Sequence, residues 1–363
     1  MILFEDEIIQ KRLASFRGKL IEKGLDAGFI TKRENYIYLS GFTGSSAFLL
    51  ITQKDAILIT DSRYAEQAQM QSPVYEILIY TSGLINEINK IIKRLEIKKL
   101  GFEETNLSYS DYKMYLSSLN CKEFLPMDSI VEKLRMVKDG AELEIIKKAV
   151  EIADKAFEHI LPFIRPGITE IDIAAELEHE MKRLGAKGPS FDTIAASGLR
   201  SSMPHGAASE KTIEKGDCIT FDFGALYKEY CSDMTRTVFV GEPSADIRKI
   251  YNTVLSAQLK AIEGAKAGLR GSDVDKIARD FITDAGYGEY FGHGLGHSLG
   301  LEIHESPRFS MACSDVIEDN MVITVEPGIY IPGLGGVRIE DIIVINGNEP
   351  IILTSSSKDI IIL

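Results

Sequence analysis

An internal repeat beyond residue 160 constrains this 363-residue chain more than any local pattern does. Gly167-Ile168, Asp172-Ile173 and Leu184-Gly185 reappear as Gly268-Leu269, Asp273-Val274 and Ala285-Gly286, 101 positions later. Further on, Ile213-Glu-Lys-Gly-Asp-Cys-Ile-Thr-Phe-Asp-Phe-Gly224 matches Ile317-Glu-Asp-Asn-Met-Val-Ile-Thr-Val-Glu-Pro-Gly328 at a shift of 104. Repeats decide architecture because each copy is a supersecondary unit that buries its apolar face with help from its neighbour. The two halves read as copies of one helix-helix-strand-strand unit. Such copies are expected to pair their sheets across a pseudo-twofold axis, with helices covering one face. The other face, or the seam, is then free for a site.

Ahead of the repeat, from Asp26 to Tyr80, short apolar runs read as strands. They are Ala27-Gly-Phe-Ile-Thr, Tyr36-Ile-Tyr-Leu, Ala47-Phe-Leu-Leu-Ile, Ala56-Ile-Leu-Ile-Thr and Tyr75-Glu-Ile-Leu-Ile. Around them, residues 7–23, 62–71, 84–95 and 108–119 place apolar side chains three and four apart, the spacing of helices. A charged helix begins near Lys138-Asp-Gly-Ala-Glu and runs toward Ile164, ending at Arg165-Pro-Gly. At roughly 100 to 200 residues per domain the length suits two domains. The expectation is a smaller α/β domain over 1–130 and an α+β domain carrying the repeat over 131–363.

Charge excludes one class of function. Lys and Arg number 41 against 54 Asp and Glu, a net charge of −13, and no basic stripe stands out to receive a phosphate backbone. Nucleic acid is therefore not expected as a partner. No apolar run approaches the roughly 18 residues of a membrane span, and the start, Met1-Ile-Leu-Phe-Glu-Asp-Glu, is acidic where a signal peptide is basic. Four cysteines without C-x-x-C spacing (Cys121, Cys218, Cys231, Cys313) suit a reducing compartment and read as small core residues. The cytoplasm is the expected location, with no membrane partner.

Acidic residues recur at matched places in the two copies. A hairpin turning between Tyr227 and Lys228 sets Asp222 opposite Asp233. One centred on Gly333, in Pro332-Gly-Leu-Gly-Gly, sets Glu326 opposite Glu340. Cross-strand like charges are destabilising unless a cation stands between them. Two such pairs converging on one seam put about four negative charges in a small volume, which two divalent ions would neutralise.

Histidines lie close by. In Phe291-Gly-His293-Gly-Leu-Gly-His297-Ser-Leu-Gly300 the interleaved glycines forbid an H-x-x-x-H helix face, and a backbone-strained loop carrying imidazoles to the acids is expected instead. The segment lacks the third glycine of a dinucleotide fingerprint, and no Walker sequence occurs. His304-Glu305 and Met203-Pro-His205-Gly are further candidates. His159 and His179 sit among charged residues on predicted helices and read as solvated. Arg338 shares a strand face with Glu340 and can pair with a carboxylate.

Together these residues resemble the pita-bread metallopeptidase family (M24), which includes methionine aminopeptidase, aminopeptidase P and prolidase. The motifs are Gly-His293-Gly-Leu-Gly-His297, Gly-Leu-Glu-Ile-His304-Glu, Val-Glu326-Pro-Gly-Ile-Tyr330 and Gly-Gly-Val-Arg338-Ile-Glu340-Asp. The resemblance runs from about residue 130 to the end. Tyr38-Leu-Ser-Gly-Phe-Thr-Gly-Ser and Thr60-Asp-Ser-Arg-Tyr are similar to the creatinase-type amino-terminal domain, which simple methionine aminopeptidases usually lack.

The resemblance implies a metal pair held by Asp222, Asp233, His297, Glu326 and Glu340. Asp222 would chelate one ion, Asp233 and Glu340 would bridge both, and His297 and Glu326 would complete the ligand set of the second ion. An oxygen-rich set with one imidazole favours two Mn²⁺ ions per subunit, with Co²⁺ and Zn²⁺ as alternatives. A metal-activated water would attack the scissile carbonyl, and Glu326 would carry its proton to the leaving nitrogen. His205 and His304 would stabilise the oxyanion and orient substrate. His293, Tyr330 and Arg338 would shape the proline side of the pocket or support the centre.

An Xaa-Pro bond has no N–H and restricted geometry, so it needs a dedicated peptidase. The resemblance thus implies release of the amino-terminal residue from Xaa-Pro peptides. An Xaa-Pro aminopeptidase is the first reading, on Gly41-Phe-Thr-Gly-Ser-Ser, and an Xaa-Pro dipeptidase (prolidase) the alternative. Methionine aminopeptidase, a metal-free creatinase-like hydrolase and a non-catalytic pita-bread binding protein rank below, the last two because every acid is kept. A homodimer is implied, with Tyr38, Asp61 and Arg63 as amino-terminal residues near a site or as ordinary folding residues.

Overall fold

A computed structural model describes residues 2–81 and 83–363, which form two compact units dividing after Arg135. The sequence boundary near 130 falls five residues earlier. The short helix Ile130–Arg135 belongs to the first unit, where Arg135 donates to Asn35 Oδ1 at 2.7 Å and is itself buried.

The first unit is a six-stranded mixed sheet with helices. The strand order is Glu76–Ile79, Ala56–Thr60, Phe48–Thr52, Ala27–Ile30, Lys99–Phe102, Glu123–Pro126. Tyr36-Ile-Tyr-Leu is not a strand. It lies in the helix Arg33–Ser40, where every residue from Asn35 to Ser40 is buried. A helix buried all round presents the uninterrupted apolar run of a central strand, and periodicity cannot separate the two. Gly41, at φ 73°, caps that helix, and the Tyr36 hydroxyl donates to Gly44 O at 2.8 Å.

The second unit repeats itself. The helix Glu170–Arg183 becomes Gly271–Asp284, and the strand Cys218–Phe223 becomes Val322–Val325. Even the fastenings recur. Gly167 N–H donates to Ile213 O at 3.0 Å and Gly268 N–H to Ile317 O at 2.8 Å, and both glycines have positive φ. Asp172 accepts from Thr169 N–H at 2.9 Å, and Asp273 from Arg270 N–H at 3.0 Å, each closing the first turn of its helix.

Each copy has its own core. In the first, Phe157 stacks on Phe223 at 6.2 Å beneath the sheet Met234–Phe239, Cys218–Phe223, Ile194–Ser197. In the second, the helices Ala245–Gly264 and Gly271–Asp284 pack on a five-stranded sheet centred on Val322–Val325. Burying each such large apolar side chain contributes about 1.5–3 kcal/mol. The copies meet along a seam, where Thr237 Oγ1 donates to Arg338 O at 2.9 Å and Glu340 N–H to Thr235 O at 3.1 Å.

The hairpins bear out one expected register and correct the other. In the second copy Gly328 faces Arg338 and Val325 faces Asp341, the register that a turn centred on Gly333 sets. In the first, the turn lies one residue later, at Lys228-Glu229, so Asp222 faces Thr235 and Asp233 stands just before the strand. Both turn residues have positive φ (46° and 69°), a conformation that neither residue type advertises. Among the described residues no helix is long and apolar enough to cross a membrane.

Candidate active site

A cavity of about 450 Å³ opens at the seam. Its walls include His205, Asp222, Asp233, His293, His297, His304, Glu326, Arg338 and Glu340. The first copy supplies Asp222 and Asp233 from the ends of its strand pair, and the second supplies the remaining acids and His297. Tyr330 is buried beside the wall. Asp61 and Arg63 pair with each other at 2.8 Å in the first unit, and Tyr38 lies there beneath the Arg12 guanidinium.

His297 sits on the strand Gly296–Ser298, and none of Gly292, Gly294 and Gly296 has positive φ. The expected strained loop is therefore absent. The glycine is needed for close approach instead, since a Cβ on Gly296 would stand 1.9 Å from Thr324 O. His297 Nδ1 donates to Ser298 O at 3.2 Å. That leaves the lone pair of Nε2 facing Asp233 Oδ2 at 3.6 Å and Glu326 Oε1 at 3.5 Å. Burial, with His304 beside it, pushes the imidazole down to about 3, so it is neutral and able to ligate.

The acids are crowded and short of partners. Asp233, His297 and Glu340 each offer a ligand atom within 4.8 Å of the others. Asp222 Oδ1, Asp233 Oδ1 and Glu340 Oε1 are buried without any hydrogen-bond partner. Burial first, then the neighbouring carboxylates, holds Asp233 and Glu340 well above the ordinary carboxylate range. Burial likewise pushes Glu326 up to about 8, against the opposing pull of Arg338. Three orphaned buried oxygens in one wall carry a large desolvation cost, and a divalent cation is the partner their chemistry fits. Asp222 has Oδ1 free of any hydrogen bond, while its Oδ2 accepts from Arg338 Nη2 at 2.6 Å.

Arg338 is buried and tied on every side. Nη1 donates to the Tyr330 hydroxyl at 2.8 Å and Nε to Thr235 Oγ1 at 3.1 Å. Thr235 donates in turn to Glu340 Oε2 at 2.8 Å. His293 Nδ1 donates to Gly294 O at 2.8 Å, so its Nε2 accepts from Tyr330 at 3.0 Å. Burial and the Arg338 charge push His293 down to about 4, and burial pushes the Tyr330 phenol up to about 12. Asp222, Arg338, Tyr330 and His293 thus form one continuous chain.

His304 is packed edge-on against His297, ring centroids 4.4 Å apart, and burial, then Arg308, lowers its pKa. Sequence reasoning missed Arg308, Thr235 and the apolar wall of Phe191, Ile194 and Ile303. Arg308 lies four residues beyond His304 in a segment whose pairing slips, so no fixed spacing points it at the cavity.

Known proteins agree with this arrangement. Residues 144–347 match Metallopeptidase family M24, and residues 12–137 match the Creatinase/Prolidase N-terminal domain. An Xaa-Pro dipeptidase from Bacillus anthracis superposes with a TM-score of 0.95 at 50% identity, over 98% of this chain and 100% of that one. The X-Pro aminopeptidase from Thermotoga maritima gives 0.89 at 44% identity, over 94% and 98%. The Xaa-Pro dipeptidase of Pyrococcus furiosus is 43% identical over 97% of this chain and all of its own length. The chain is a two-domain hydrolase with a creatinase-type first domain and a pita-bread second domain, and it belongs to metallopeptidase family M24.

Proposed function

We propose that this protein is an Xaa-Pro dipeptidase, using two divalent ions held by Asp222, Asp233, His297, Glu326 and Glu340. The observation that carries the hydrolytic reading is the set of three buried, partnerless carboxylate oxygens in the cavity wall. Mn²⁺ suits an oxygen-rich set with one imidazole, and Co²⁺ and Zn²⁺ are the alternatives. When bound, such ions would lower the pKa of a water and polarise the scissile carbonyl.

The chain's own residues do the rest. Glu326 takes up a proton and hands it to the proline nitrogen as that bond breaks. His304, beside His297, donates to the oxyanion as it develops, and His205 on the exposed rim orients the substrate. Arg338 holds Asp222 in place and, through Tyr330, fixes His293 on the proline side. Apolar Phe191, Ile194 and Ile303 receive the substrate's apolar surface and exclude water.

The preference for dipeptides replaces the aminopeptidase expectation. Two of the three relatives named above are Xaa-Pro dipeptidases. The Gly41-Phe-Thr-Gly-Ser-Ser motif is accounted for by its helix cap and the Tyr36 hydrogen bond, so it carries no weight for substrate length. The exposed guanidinium of Arg308 on the cavity wall suits a free proline carboxylate, which only a dipeptide places one residue from the scissile bond. The Thermotoga maritima relative favours a second reading, an Xaa-Pro aminopeptidase. Arg308→Ala tests the choice: a KM for Ala-Pro raised about 10-fold or more supports the dipeptidase, and an unchanged KM removes this support. A homodimer in the cytoplasm completes the proposal, in keeping with four cysteines that lack C-x-x-C spacing, and sedimentation tests its stoichiometry.

A further inference from the structure

Lys138 carries a buried ammonium that the chemistry above does not use. Its side chain is 1% exposed and that of its partner Glu305 6%. Nζ donates to Glu305 Oε2 at 3.2 Å and to Ser298 Oγ at 3.1 Å. A buried ion pair is a weak source of stability, because desolvating both ions offsets their attraction. What distinguishes this one is the pair of residues it joins.

Ser298 and Glu305 face each other across the strands Gly296–Ser298 and Glu305–Phe309. Between this pair and the next, His297 with Arg308, the register shifts at a bulge. A bulge interrupts the ladder and re-aims side chains, so the backbone hydrogen bonds alone fix their direction poorly. Lys138 spans the pair from the segment before the helix Gly140–Ile160, anchored by its own N–H on Asn320 O at 3.0 Å.

Each end of this bridge adjoins a site histidine. Ser298 follows His297, accepts from its Nδ1 through the backbone carbonyl, and donates its hydroxyl to Val322 O at 2.7 Å. Glu305 follows His304, and its Oε1 accepts from Glu302 N–H at 3.2 Å, closing the turn that presents the ring. Gly300 leaves room for that carboxylate, since a Cβ there would stand 2.8 Å from Glu305 Oε1.

We propose that Lys138 and Glu305 are positioning residues, a clamp across the bulge that sets the spacing and orientation of His297 and His304. This rests on the reading of His297 as a metal ligand and His304 as the oxyanion donor. One ammonium with three N–H groups can hold the serine hydroxyl and the carboxylate at once, which no apolar side chain can do.

Three variants test it: Lys138→Met, Glu305→Gln, and the double Lys138→Met/Glu305→Leu, which removes both charges. Each is compared with wild type for thermal stability, Co²⁺ stoichiometry, the visible absorption of the Co²⁺-loaded protein, and kcat and KM on Ala-Pro. The double variant is expected to regain the stability that Lys138→Met loses, while kcat stays about 10- to 100-fold down, KM is little changed and the Co²⁺ spectrum remains shifted. Recovery of kcat and of the wild-type spectrum along with stability would overturn the clamp and leave the pair a folding device. The double variant decides the matter even where Lys138→Met does not fold. A wild type that takes up no Co²⁺ would overturn the functional reading itself, and the clamp with it.

Discussion

Arg338 Nη2 lies 2.6 Å from Asp222 Oδ2, a contact between charges that helps tie the second copy of the repeat to the first inside the cavity. It explains how four acids can share a small buried volume in a folded chain. One oxygen of Asp222 is matched by a fixed cation, and the orphaned oxygens of Asp222, Asp233 and Glu340 are left for mobile ones.

Truncating that arginine should therefore be severe. Arg338→Ala removes the partner of Asp222 and also leaves the Tyr330 hydroxyl and Thr235 without their donor. Breaking a buried pair from one side costs about 3–5 kcal/mol. Denaturant unfolding of the metal-free variant measures this, and a loss below about 1 kcal/mol would mean that water replaces the guanidinium.

Asp233→Asn should reduce bound metal and abolish turnover. Its Oδ1 has no partner and its Oδ2 faces His297, so both oxygens would be available to an ion, and an amide offers a nitrogen in place of one. Elemental analysis after dialysis gives the metal-to-protein ratio. A fully loaded, active variant would remove Asp233 from the ligand set.

The metal-free protein should lose stability as pH rises from 6.5 to 8, above the range where the depressed His293 and His297 act in the opposite sense. Folded Glu326 holds its proton up to about 8, against an ordinary value of 4.5, so folding favours the protonated form. That contribution is complete below pH 4.5 and disappears as the pH climbs toward 8, where the buried carboxyl ionises. Loading with Mn²⁺ should release protons and reverse the trend, because the ions favour the carboxylates. Thermal unfolding across pH 6.5–8, with and without Mn²⁺, checks both signs.

His304→Ala should keep its metal and lose about 100- to 1,000-fold in kcat. The ring packs against His297 but makes no bond to the acids, so truncation spares the ligand set. A change confined to KM would assign His304 to substrate binding.

The repeat was legible because its fastenings depend on residue types that leave a mark. Gly167 and Gly268 hold φ of 98° and 89°, where a side chain is strained, and the acids that close the helix starts recur at the same shift. Gly333 likewise marked its turn and gave the second hairpin its register. The turn at Lys228-Glu229 left no mark, since its two-residue loop takes positive φ at both positions without the glycine or asparagine that would signal it. Buried Tyr36–Leu39 hid its helix for the opposite reason, having no polar face to reveal a period. The acids and histidines of the cavity were readable from matched positions in two copies. Arg308 and Lys138 were not, because what each side chain faces is decided by chain segments far away in sequence.

The most direct measurement is the hydrolysis of Ala-Pro and Ala-Pro-Ala by metal-stripped protein, before and after adding Mn²⁺ or Co²⁺, with released alanine quantified. A Xaa-Pro dipeptidase of this design should be silent without metal and should cleave Ala-Pro once metal is restored, leaving Ala-Pro-Ala essentially intact. Cleavage of the tripeptide at an equal or higher kcat/KM, or silence on both peptides with metal bound, would contradict it.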